Sequence, residues 1–406
     1  MIERERYEKI IREQVNSGQV KLFTGAYRTG KSTILKMVQR ILRKRGIPLG
    51  DVLYIDFEAV RHCDIRDGGS LLFVVRNLVR GKHRIYLLLD EVANLPGWEK
   101  ALENILIQYR CDIYLTGTRA SFFGDRQEVL FSGKYLEIPV FPYYFQEFCE
   151  AWNQRKTAEP EECLQDFMIY GNMPGIHNIE KNQDTVFSYL LDVCQAGMLQ
   201  SVVRIWRLRN VDQIWMILGC IAENLGKPLS AKVIAQQLKE ENYSIGKDTV
   251  YTVLRALTEA GILQKVPRYD RKTGRCLEAQ EKYYFTDWGM YHSLYGLHSG
   301  RTKALLENIV CMELAARGWQ VLRIQQEKDI DFMARKGENL RYLQVREKAD
   351  TEEAEELLKA LPKDGKRTVI TLERDAQAET KQDGSDGMGE IKSLLQFLQE
   401  NDDEDV

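Results

Sequence analysis

A short stretch near the N-terminus has the residue types and spacing needed to hold a phosphate. Residues 25–32 read Gly-Ala-Tyr-Arg-Thr-Gly-Lys-Ser, which fits the Walker A pattern of a glycine, four residues and then Gly-Lys-Ser. Glycines let backbone N–H groups turn towards a phosphate, the lysine reaches its oxygens, and the serine hydroxyl ligates Mg²⁺. We therefore expect a triphosphate to contact Gly25, Ala26, Tyr27, Arg28, Thr29, Gly30, Lys31, Ser32 and Thr33, with Ser32 also on the metal.

The flanking residues supply the elements that this loop requires. Residues 20–24 predict a short strand, and residues 33–45 place apolar side chains at helical spacing. A helix that begins at the loop adds positive potential where the anion binds. The order of strand, glycine loop and helix favours a phosphate site over a chance match to the pattern.

A second motif follows downstream. Residues 84–91 read Arg-Ile-Tyr-Leu-Leu-Leu-Asp-Glu, an apolar run that ends in two acids and fits the Walker B pattern. Such a continuous apolar run is typical of a parallel strand that is covered on both faces. We expect Asp90 to hold Mg²⁺ and Glu91 to polarise the attacking water, while Lys31 neutralises the phosphates.

Two other predicted strands end in polar side chains. One ends in Asp56 and Glu58, which lie either beside the nucleotide or at a solvated strand end. The other ends in Thr116, Thr118 and Arg119, where P-loop ATPases of the additional-strand class carry a sensor of the γ-phosphate; a plain turn is the alternative. ATP is favoured over GTP because the sequence has no Asn-Lys-x-Asp motif for reading guanine.

The bulk composition is that of an ordinary globular protein. The 406 residues suggest about two to four domains, and a hydrophobic content of 44% supplies enough apolar material for their cores. Lys and Arg number 57 against 60 Asp and Glu, so any nucleic-acid contact must come from a local patch. The 8 cysteines are scattered without a Cys-x-x-Cys pair, as expected of reduced thiols in a cytoplasmic protein. We find no signal peptide and no apolar run long enough to span a bilayer, and we expect no membrane partner.

A predicted helical lid at residues 143–208 follows the P-loop domain at residues 1–142. The lid carries two arginines, Arg204 and Arg207, near its end. One interpretation is that these arginines contact phosphate, either across the lid or from a neighbouring copy of the chain. The other interpretation, which is favoured, is that they are solvated.

Residues 209–298 predict a winged helix-turn-helix, since three helices precede two strands. The helices fall at 212–223, 230–240 and 246–260, and the strands at 262–269 and 281–286. The third helix would enter a major groove of double-stranded DNA, and the basic turn between the strands would lie on phosphates. The expected DNA contacts are Lys247, Thr249, Arg255, Arg271 and Lys272. The alternative is a winged helix that serves only for packing, because Asp248 and other acids dilute the positive charge.

Residues 299–400 predict an α/β unit that resembles the core of restriction endonucleases. A helix at 304–317 precedes strands at 320–323, 329–334 and 342–345, a helix at 351–361 and a strand at 367–372. Glu307, Asp331 and Gln344 form a candidate second metal site. Cleavage is not favoured, because Arg346 stands where active members carry a lysine and is too basic to exchange a proton. Residues 401–406 form an acidic tail.

These pieces, in this order, resemble a bacterial and archaeal family of AAA-type ATPases that carry a C-terminal domain of unknown function. The resemblance spans nearly the whole chain and rests on residues 25–32, 55–58, 88–91, 97–99, 116–117, 132–134, 171–175, 307–308, 331–332 and 344–345. It implies ATP binding and a fused winged-helix and nuclease-like unit. The chain departs from the family at Arg119, where a sensor asparagine is usual, at Lys134, where arginine is usual, and at Asn172, where glycine is usual.

The sequence thus predicts an α/β protein that begins with the parallel sheet of an AAA-type P-loop NTPase of the additional-strand class. A helical lid, a winged helix and a restriction-endonuclease-like α/β domain follow it. The expected activity is Mg²⁺-dependent ATP hydrolysis that repositions a DNA-binding or interaction module. Two alternatives stay open, namely a slow ATP-dependent switch or scaffold that binds a protein partner, and an ATP-gated nuclease. A homo-oligomer is also compatible with the sequence.

Overall fold

The computed structural model describes residues 2–59, 64–123, 130–154, 158–208, 210–297, 299–324, 330–372 and 389–400. The chain divides into two compact units. The first comprises Met1–Phe141, Ala196–Arg207 and Glu259–Gly261, and the second comprises Pro142–Gln195, Leu208–Thr258 and Ile262–Val406. The first unit therefore contains the predicted P-loop domain and two short segments from further along the chain.

The first unit is built on a parallel sheet. Its elements are α1 (Glu5–Gln14), β1 (Val20–Thr24), α2 (Lys31–Lys44), β2 (Val52–Asp56), α3 (Gly68–Val79), β3 (Ile85–Asp90), α4 (Trp98–Gln108), β4 (Cys111–Gly117), α5 (Arg119–Phe123) and β5 (Tyr135–Pro139). The five strands lie in the order β2-β3-β4-β1-β5, and all pairs are parallel. The carboxyl ends of parallel strands meet at one edge, so the polar residues that follow these strands gather there.

Strand β3 is covered on both faces, as its apolar run predicts. All six of its residues are buried. Ile85, Leu87 and Leu89 pack in the core formed with α3 and α4, whereas Tyr86 and Leu88 pack in the core formed with α1 and α2. This alternation is the two-residue period of a strand, and it fixes the register of β3. The acids at the end of the strand are positioned by that register.

A long helical run connects the second unit to the first. Helices α6 (Phe145–Asn153), α7 (Pro160–Tyr170) and α8 (Gln183–Gly197) come first, and α8 continues through π-helical Met198–Val203 into α9 (Arg204–Trp206). Contrary to the expectation from the sequence, the run Gln183–Trp206 is long and apolar enough, by length and composition, to cross a membrane. However, 44% of its most apolar window is buried, and core helices of soluble proteins pass the same test. The run alone therefore does not assign a membrane.

Three helices and an antiparallel hairpin follow, in the predicted order. They are α10 (Val211–Glu223), α11 (Ala231–Glu240), α12 (Lys247–Glu259), β6 (Leu263–Asp270) and β7 (Arg275–Phe285), after which comes α13 (Trp288–Tyr295). The side chain of Ser230 accepts a hydrogen bond from the Val233 N–H and so caps α11. Strand β7 begins six residues earlier than predicted, at Arg275 instead of residue 281.

The remaining elements extend the same sheet. They are α14 (Thr302–Ala316), β8 (Gln320–Ile324), β9 (Ile330–Lys336), β10 (Asn339–Arg346), α15 (Thr351–Ala360), β11 (Lys366–Thr371), β12 (Gly389–Ser393) and α16 (Leu394–Gln399). The strands form one seven-stranded sheet in the order β12-β11-β10-β9-β8-β6-β7. Strand β6 pairs with β8 at Arg268↔Arg323 and Tyr269↔Ile324. The predicted winged helix and the predicted nuclease-like domain thus share a sheet across the boundary drawn between residues 298 and 299.

Several strand ends differ from the prediction. Strand β2 ends at Asp56, so Glu58 lies beyond it, and neither β12 nor α16 was predicted. Asp329, the first residue of a predicted strand, and the acidic tail at 401–406 lie outside the described residues.

The departure from the family at Asn172 has a structural explanation within the second unit. Gly171 has φ +78°, and a Cβ there would lie 2.5 Å from an oxygen of Asp287. Asn172 is not among the residues with positive φ, and its N–H donates to Asp287 Oδ2 at 2.6 Å. Burial raises the pKa of Asp287 to about 6, although backbone N–H groups including those of Asn172 and Met290 counteract it. Position 171 therefore requires glycine, whereas the backbone at position 172 accommodates an asparagine.

Candidate nucleotide-binding site

The predicted phosphate-binding loop connects β1 to α2. Gly30 has φ +97° and precedes the first residue of α2, Lys31. Gly25 leaves no room for a side chain, because a Cβ there would lie 2.3 Å from the carbonyl oxygen of Val140. Both glycines of the motif are therefore required by the backbone, one for its conformation and the other for a close approach. The loop ends at a helix N-terminus, which favours an anion.

Lys31 contacts the backbone of the loop and lies beside Glu91 of the Walker B motif. Its Nζ donates to the Ala26 carbonyl oxygen at 2.9 Å and lies 3.2 Å from Glu91 Oε1. Lys31 is 4% exposed, whereas the side chain of Glu91 is 21% exposed. The ammonium and the carboxylate are thus brought together from two different elements, as the two motifs predict.

Asp90 is held by two hydroxyl groups. It is 2% exposed. Tyr54 Oη donates to its Oδ2 at 2.8 Å, and Thr116 Oγ1 donates to its Oδ1 at 2.5 Å. The N–H of Glu91, whose φ is +49°, donates to the same Thr116 hydroxyl at 2.9 Å. Thr116 therefore braces both acids, where the sequence predicts a direct contact with phosphate or water.

Arg119 does not lie among the residues of this site. Its Nε donates to Glu137 Oε1 at 3.1 Å, and the hydroxyl of Thr24 donates to the same oxygen at 2.9 Å. Glu137 belongs to the edge strand β5, and the Arg119 side chain is 52% exposed. In this structure Arg119, the first residue of α5, is thus paired with β5, and its sensor role stays a prediction.

A cavity of about 500 Å³ opens beside Glu91 within the first unit. Its lining includes Tyr27, Thr118, Trp98 and the two arginines Arg204 and Arg207. Arg204 Nη2 donates to Asn94 Oδ1 at 2.5 Å, in the turn that follows Glu91. The sequence left open whether Arg204 and Arg207 contact phosphate or are solvated. In the structure both line the same cavity as Glu91 of the Walker B motif.

A further acid of the sheet edge, beyond Glu91, belongs to this cavity. Glu58 lines it. Burial raises the pKa of Glu58, and the carboxylates of Glu91 and Asp56 raise that pKa further. A divalent cation would relieve this repulsion, and carboxylate and hydroxyl oxygens are the donors that Mg²⁺ prefers. The residues present therefore fit Mg²⁺, with Ser32 and Asp90 as its protein ligands.

The sequence analysis assigned no site role to Tyr54, Asn94 or Trp98, and of these only Trp98 lay within a stretch that carries the family resemblance. Tyr54 reaches Asp90 because β2 pairs with β3 in the register Tyr54↔Leu88. Asn94 and Trp98 line the cavity from the turn and helix that follow β3. A tyrosine at an alternate strand position could have been singled out had the pairing of β2 with β3 been known.

The candidate second metal site, in the second unit, is filled by lysine side chains. Lys282 Nζ lies 3.0 Å from Glu307 Oε2, and Lys303 Nζ lies 3.4 Å from Glu307 Oε1 and 3.5 Å from Asp331 Oδ1. The Val345 N–H donates to Asp331 Oδ2 at 2.8 Å, which brings the neighbouring Gln344 close to Asp331. Within the described ranges, no three acids, histidines or cysteines converge as metal ligands.

The pKa values of Glu307 and Asp331 shift in opposite directions. Burial opposes the charge of Glu307, but Lys282 and the Tyr284 hydroxyl bring its pKa below the usual range. Burial, followed by the charge of Glu307, raises the pKa of Asp331. Two ammonium groups thus stand where the predicted site would hold a cation.

The side chains of the predicted DNA contacts differ in their exposure. Lys247, Tyr251 and Arg255 are exposed and follow one another at a spacing of four residues on α12, and Lys272 is exposed in the hairpin turn. Thr249 is half-buried. Arg271 is already engaged in the second unit, where Nη2 lies 2.5 Å from Asp364 Oδ2 and the guanidinium stacks on Tyr342.

Comparison with known proteins assigns the two regions of the chain. Residues 17–149 match the model of an AAA domain, and residues 161–301 match a domain of unknown function (DUF8612). An uncharacterized protein of Haemophilus influenzae is 26% identical over 349 residues, covering 85% of this chain and 86% of that protein. Another, from Methanocaldococcus jannaschii, is 24% identical over 344 residues, covering 80% and 74%.

One solved structure that the chain matches in part is that of a Walker-type ATPase of Pyrococcus abyssi. Its sequence identity is 13%, its TM-score is 0.49, and the match covers 72% of this chain and 96% of that chain. The strand order β2-β3-β4-β1-β5 is typical of P-loop AAA domains. Residues 17–149 of this chain are thus similar to an AAA domain, and residues 161–301 are similar to a domain of unknown function.

Proposed function

We propose that this protein is a Mg²⁺-dependent ATPase whose nucleotide state is coupled to a DNA-binding module in the second unit. One observation carries the ATPase part, namely the convergence of Lys31, Asp90 and Glu91 at the sheet edge beside the glycine loop. The match to an AAA domain supports the same assignment.

Each residue of this set has a role in phosphoryl transfer. Lys31, whose Nζ donates to the Ala26 carbonyl oxygen, neutralises charge on the β- and γ-phosphates. Ser32 and Asp90 would hold Mg²⁺, which would neutralise phosphate charge. Glu91 orients and polarises the attacking water, with its backbone fixed by Thr116. Arg204 and Arg207 line the cavity beside Glu91 and add positive charge there.

The ATPase proposal is tested by turnover of the full chain. We expect ATP hydrolysis that depends on Mg²⁺ and stops with a chelator, because Asp90 and Ser32 need a cation to act on phosphate. Phosphate release is measured with and without duplex and branched DNA. Turnover at or below about one per minute, unchanged by DNA, would instead indicate a slow switch that binds a protein partner.

The DNA part of the proposal rests on α12 and the hairpin. The exposed stripe of Lys247, Tyr251 and Arg255 joins two cations and an aromatic ring on one helical face. Such a helix, followed by a hairpin with an exposed Lys272, is the arrangement by which a winged helix reads a groove and contacts phosphates. The ion pair of Arg271 with Asp364 removes that arginine from our proposed contacts.

Removal of two of these cations tests DNA binding. We expect Lys247→Ala with Arg255→Ala to weaken duplex binding and to reduce the slope of log K against log salt by about two, because two phosphate contacts are lost. Binding is measured by fluorescence anisotropy over a salt series. The control is Lys359→Ala with Lys363→Ala, two exposed lysines outside α12 and the hairpin. An unchanged slope in the α12 variant would count against the DNA role.

A nuclease activity is not part of the proposal. The order α14, β8, β9, β10, α15, β11, with β10 parallel to β11, supports a restriction-endonuclease-like core. However, Lys282 and Lys303 neutralise the carboxylates of Glu307 and Asp331, and Arg346 cannot exchange a proton. We therefore infer that this region contributes structure instead of cleavage.

A further inference from the structure

We propose that Arg4 is a positioning residue of the nucleotide site, which holds both the phosphate-binding loop and the segment on which that loop packs. This inference rests on the proposed function, because it concerns the affinity of the loop for ATP. Arg4 lies in the first unit, as the loop does, but outside residues 17–149, which match an AAA domain. In the charged stretch of residues 3–6, Glu-Arg-Glu-Arg, only Arg4 is buried.

The guanidinium of Arg4 bridges two stretches of backbone. Its Nη1 donates to the carbonyl oxygen of Thr29, within the Walker A motif, at 3.4 Å. Its Nη2 donates to the carbonyl oxygen of Phe141, in the segment that follows β5, at 3.0 Å. A Cβ built on Gly30 would lie 4.0 Å from Nη1, so the guanidinium is also close to the residue before Lys31. Arg4, which is 2% exposed, thus joins the loop to the chain that leaves β5.

Tyr7, in the first turns of α1, fixes the same segment. Its hydroxyl donates to the carbonyl oxygen of Pro139 at 3.1 Å and accepts from the Phe141 N–H at 3.1 Å. The guanidinium carbon of Arg4 lies 4.5 Å from the centre of the Tyr7 ring, which adds an attraction between the cation and the aromatic face. Tyr7 therefore holds both the segment after β5 and the arginine.

The segment after β5 is also the surface on which the loop begins. The Val140 N–H donates to the Thr24 carbonyl oxygen at 2.6 Å, and a Cβ at Gly25 would lie 2.3 Å from the Val140 carbonyl oxygen. The start of the loop therefore packs on Val140, whereas Arg4 holds Thr29 near the end of the loop. Loss of Arg4 should release the loop at both points, so that its N–H groups are no longer held in place for a phosphate.

Two properties of arginine suit this position. Its guanidinium stays charged in proteins, and a buried charge is weakly screened by solvent, so Arg4 favours an anion in the neighbouring loop. Its nitrogens form a planar fork, so separate Nη atoms reach the two carbonyl oxygens, whereas lysine has a single nitrogen. The variant Arg4→Lys therefore keeps the charge and loses the bridge.

Substitution of Arg4 tests the role through the affinity for ATP. We expect Arg4→Met to raise the Kd and KM for ATP about tenfold and to leave kcat within about twofold, because the loop binds the ground state and the transition state alike. Arg4→Lys should keep the Kd at least about threefold above that of the wild type, since the bridge is absent. A role in stability alone would instead lower the active fraction, and with it kcat, without a change in KM.

Chemical rescue gives a second readout of the same contact. Arg4→Ala leaves space where the guanidinium lay, so millimolar guanidinium ion should lower the Kd of this variant for ATP. The same concentration of sodium chloride should not lower it, and neither salt should lower the Kd of the wild type.

The matched control is Arg40→Ala. Arg40 Nη1 lies 2.9 Å from Glu3 Oε1, and the two side chains are 43% and 57% exposed. This variant removes an arginine contact of the residue next to Arg4 and leaves the contact with the loop in place. We expect its Kd for ATP to stay within about twofold of the wild type, because exposed ion pairs contribute little.

A measurement on the wild-type chain keeps the proposal testable if the Arg4 variants do not fold. By linkage, a contact that strengthens ATP binding is itself strengthened by ATP. We therefore expect ATP with Mg²⁺ to slow the amide hydrogen exchange of residues 4–8, at the start of α1, by up to about tenfold. Exchange of residues 12–16, around the end of α1, should stay unchanged.

The outcomes separate this inference from the proposed function. If the wild-type chain does not bind ATP, the proposed function fails and the inference fails with it. If ATP binds, but a folded Arg4→Met variant has the wild-type Kd or loses only kcat, the inference alone is overturned. The inference is also overturned if Arg40→Ala weakens ATP binding as much as Arg4→Met does, or if exchange at residues 4–8 does not respond to ATP.

Discussion

Lys31→Ala should reduce the affinity for ATP on the order of 100-fold or more, because it removes the side chain that neutralises the β- and γ-phosphates. The loss is greater than that of an exposed lysine, since Lys31 is 4% exposed and its charge is poorly screened by solvent. Binding is measured by titration with a fluorescent ATP analogue in the presence of Mg²⁺. The substitution also leaves Glu91 without its ion-pair partner, so thermal melting must accompany the titration.

The matched control for this variant lies on the same helix. Lys36 is exposed, five residues further along α2, and Lys36→Ala should leave the Kd for ATP unchanged. Lys31→Arg should not restore wild-type binding, because a planar guanidinium does not replace a compact ammonium in a closed loop. A folded Lys31→Ala variant with wild-type affinity would refute the assignment of the loop as the phosphate site.

The parts of this site that could be predicted from sequence are those set by local rules. The apolar run of β3 requires a strand that is covered on both faces, and the residues after such a strand must lie at the sheet edge. The loop glycines require positive φ at Gly30 and a close approach at Gly25, which only glycine allows. Local sequence therefore determined where Lys31, Asp90 and Glu91 would meet.

The parts that could not be predicted depend on pairing between distant residues. Thr116 braces Asp90 and Glu91 because β4 lies beside β3, and a strand end by itself does not reveal whether its hydroxyl faces a neighbour or a ligand. Lys282 meets Glu307 because the hairpin and α14 belong to one folded unit, whereas the sequence placed them in separate domains. Such contacts follow from tertiary structure, which residue patterns do not encode locally.

The strands that were missed had weak local signals. Strand β12 reads Gly-Glu-Ile-Lys-Ser and has a single large apolar residue, so neither a period nor an apolar run marks it. It forms because β11 offers it a parallel edge, with Val369 opposite Ile391. Helix α16, which follows it, has six residues and begins at a Ser393 cap. These elements depend on the sheet they join more than on their own propensity.

Glu91→Gln should retain ATP binding and lower the turnover of bound ATP about 100-fold or more, because an amide cannot accept a proton from the attacking water. The amide has nearly the shape of the carboxylate, and the backbone of residue 91 stays fixed by the Thr116 hydroxyl. Loss of the ion pair at 3.2 Å releases Lys31 for phosphate, so the Kd for ATP should stay equal or fall.

The variant Glu58→Gln tests whether Glu91, and not Glu58, accepts the proton of the attacking water. Glu58 is the second carboxylate that lines this cavity. Burial raises its pKa, and the charges of Glu91 and Asp56 raise it further. A raised pKa suits a general base, so Glu58 is the alternative candidate for that role. Single-turnover phosphate release is measured for both variants at saturating ATP and Mg²⁺. We expect Glu58→Gln to lower the rate no more than about tenfold, since its loss leaves Glu91 in place. A large loss in Glu58→Gln, with normal turnover in Glu91→Gln, would move the water-activating role from β3 to the end of β2.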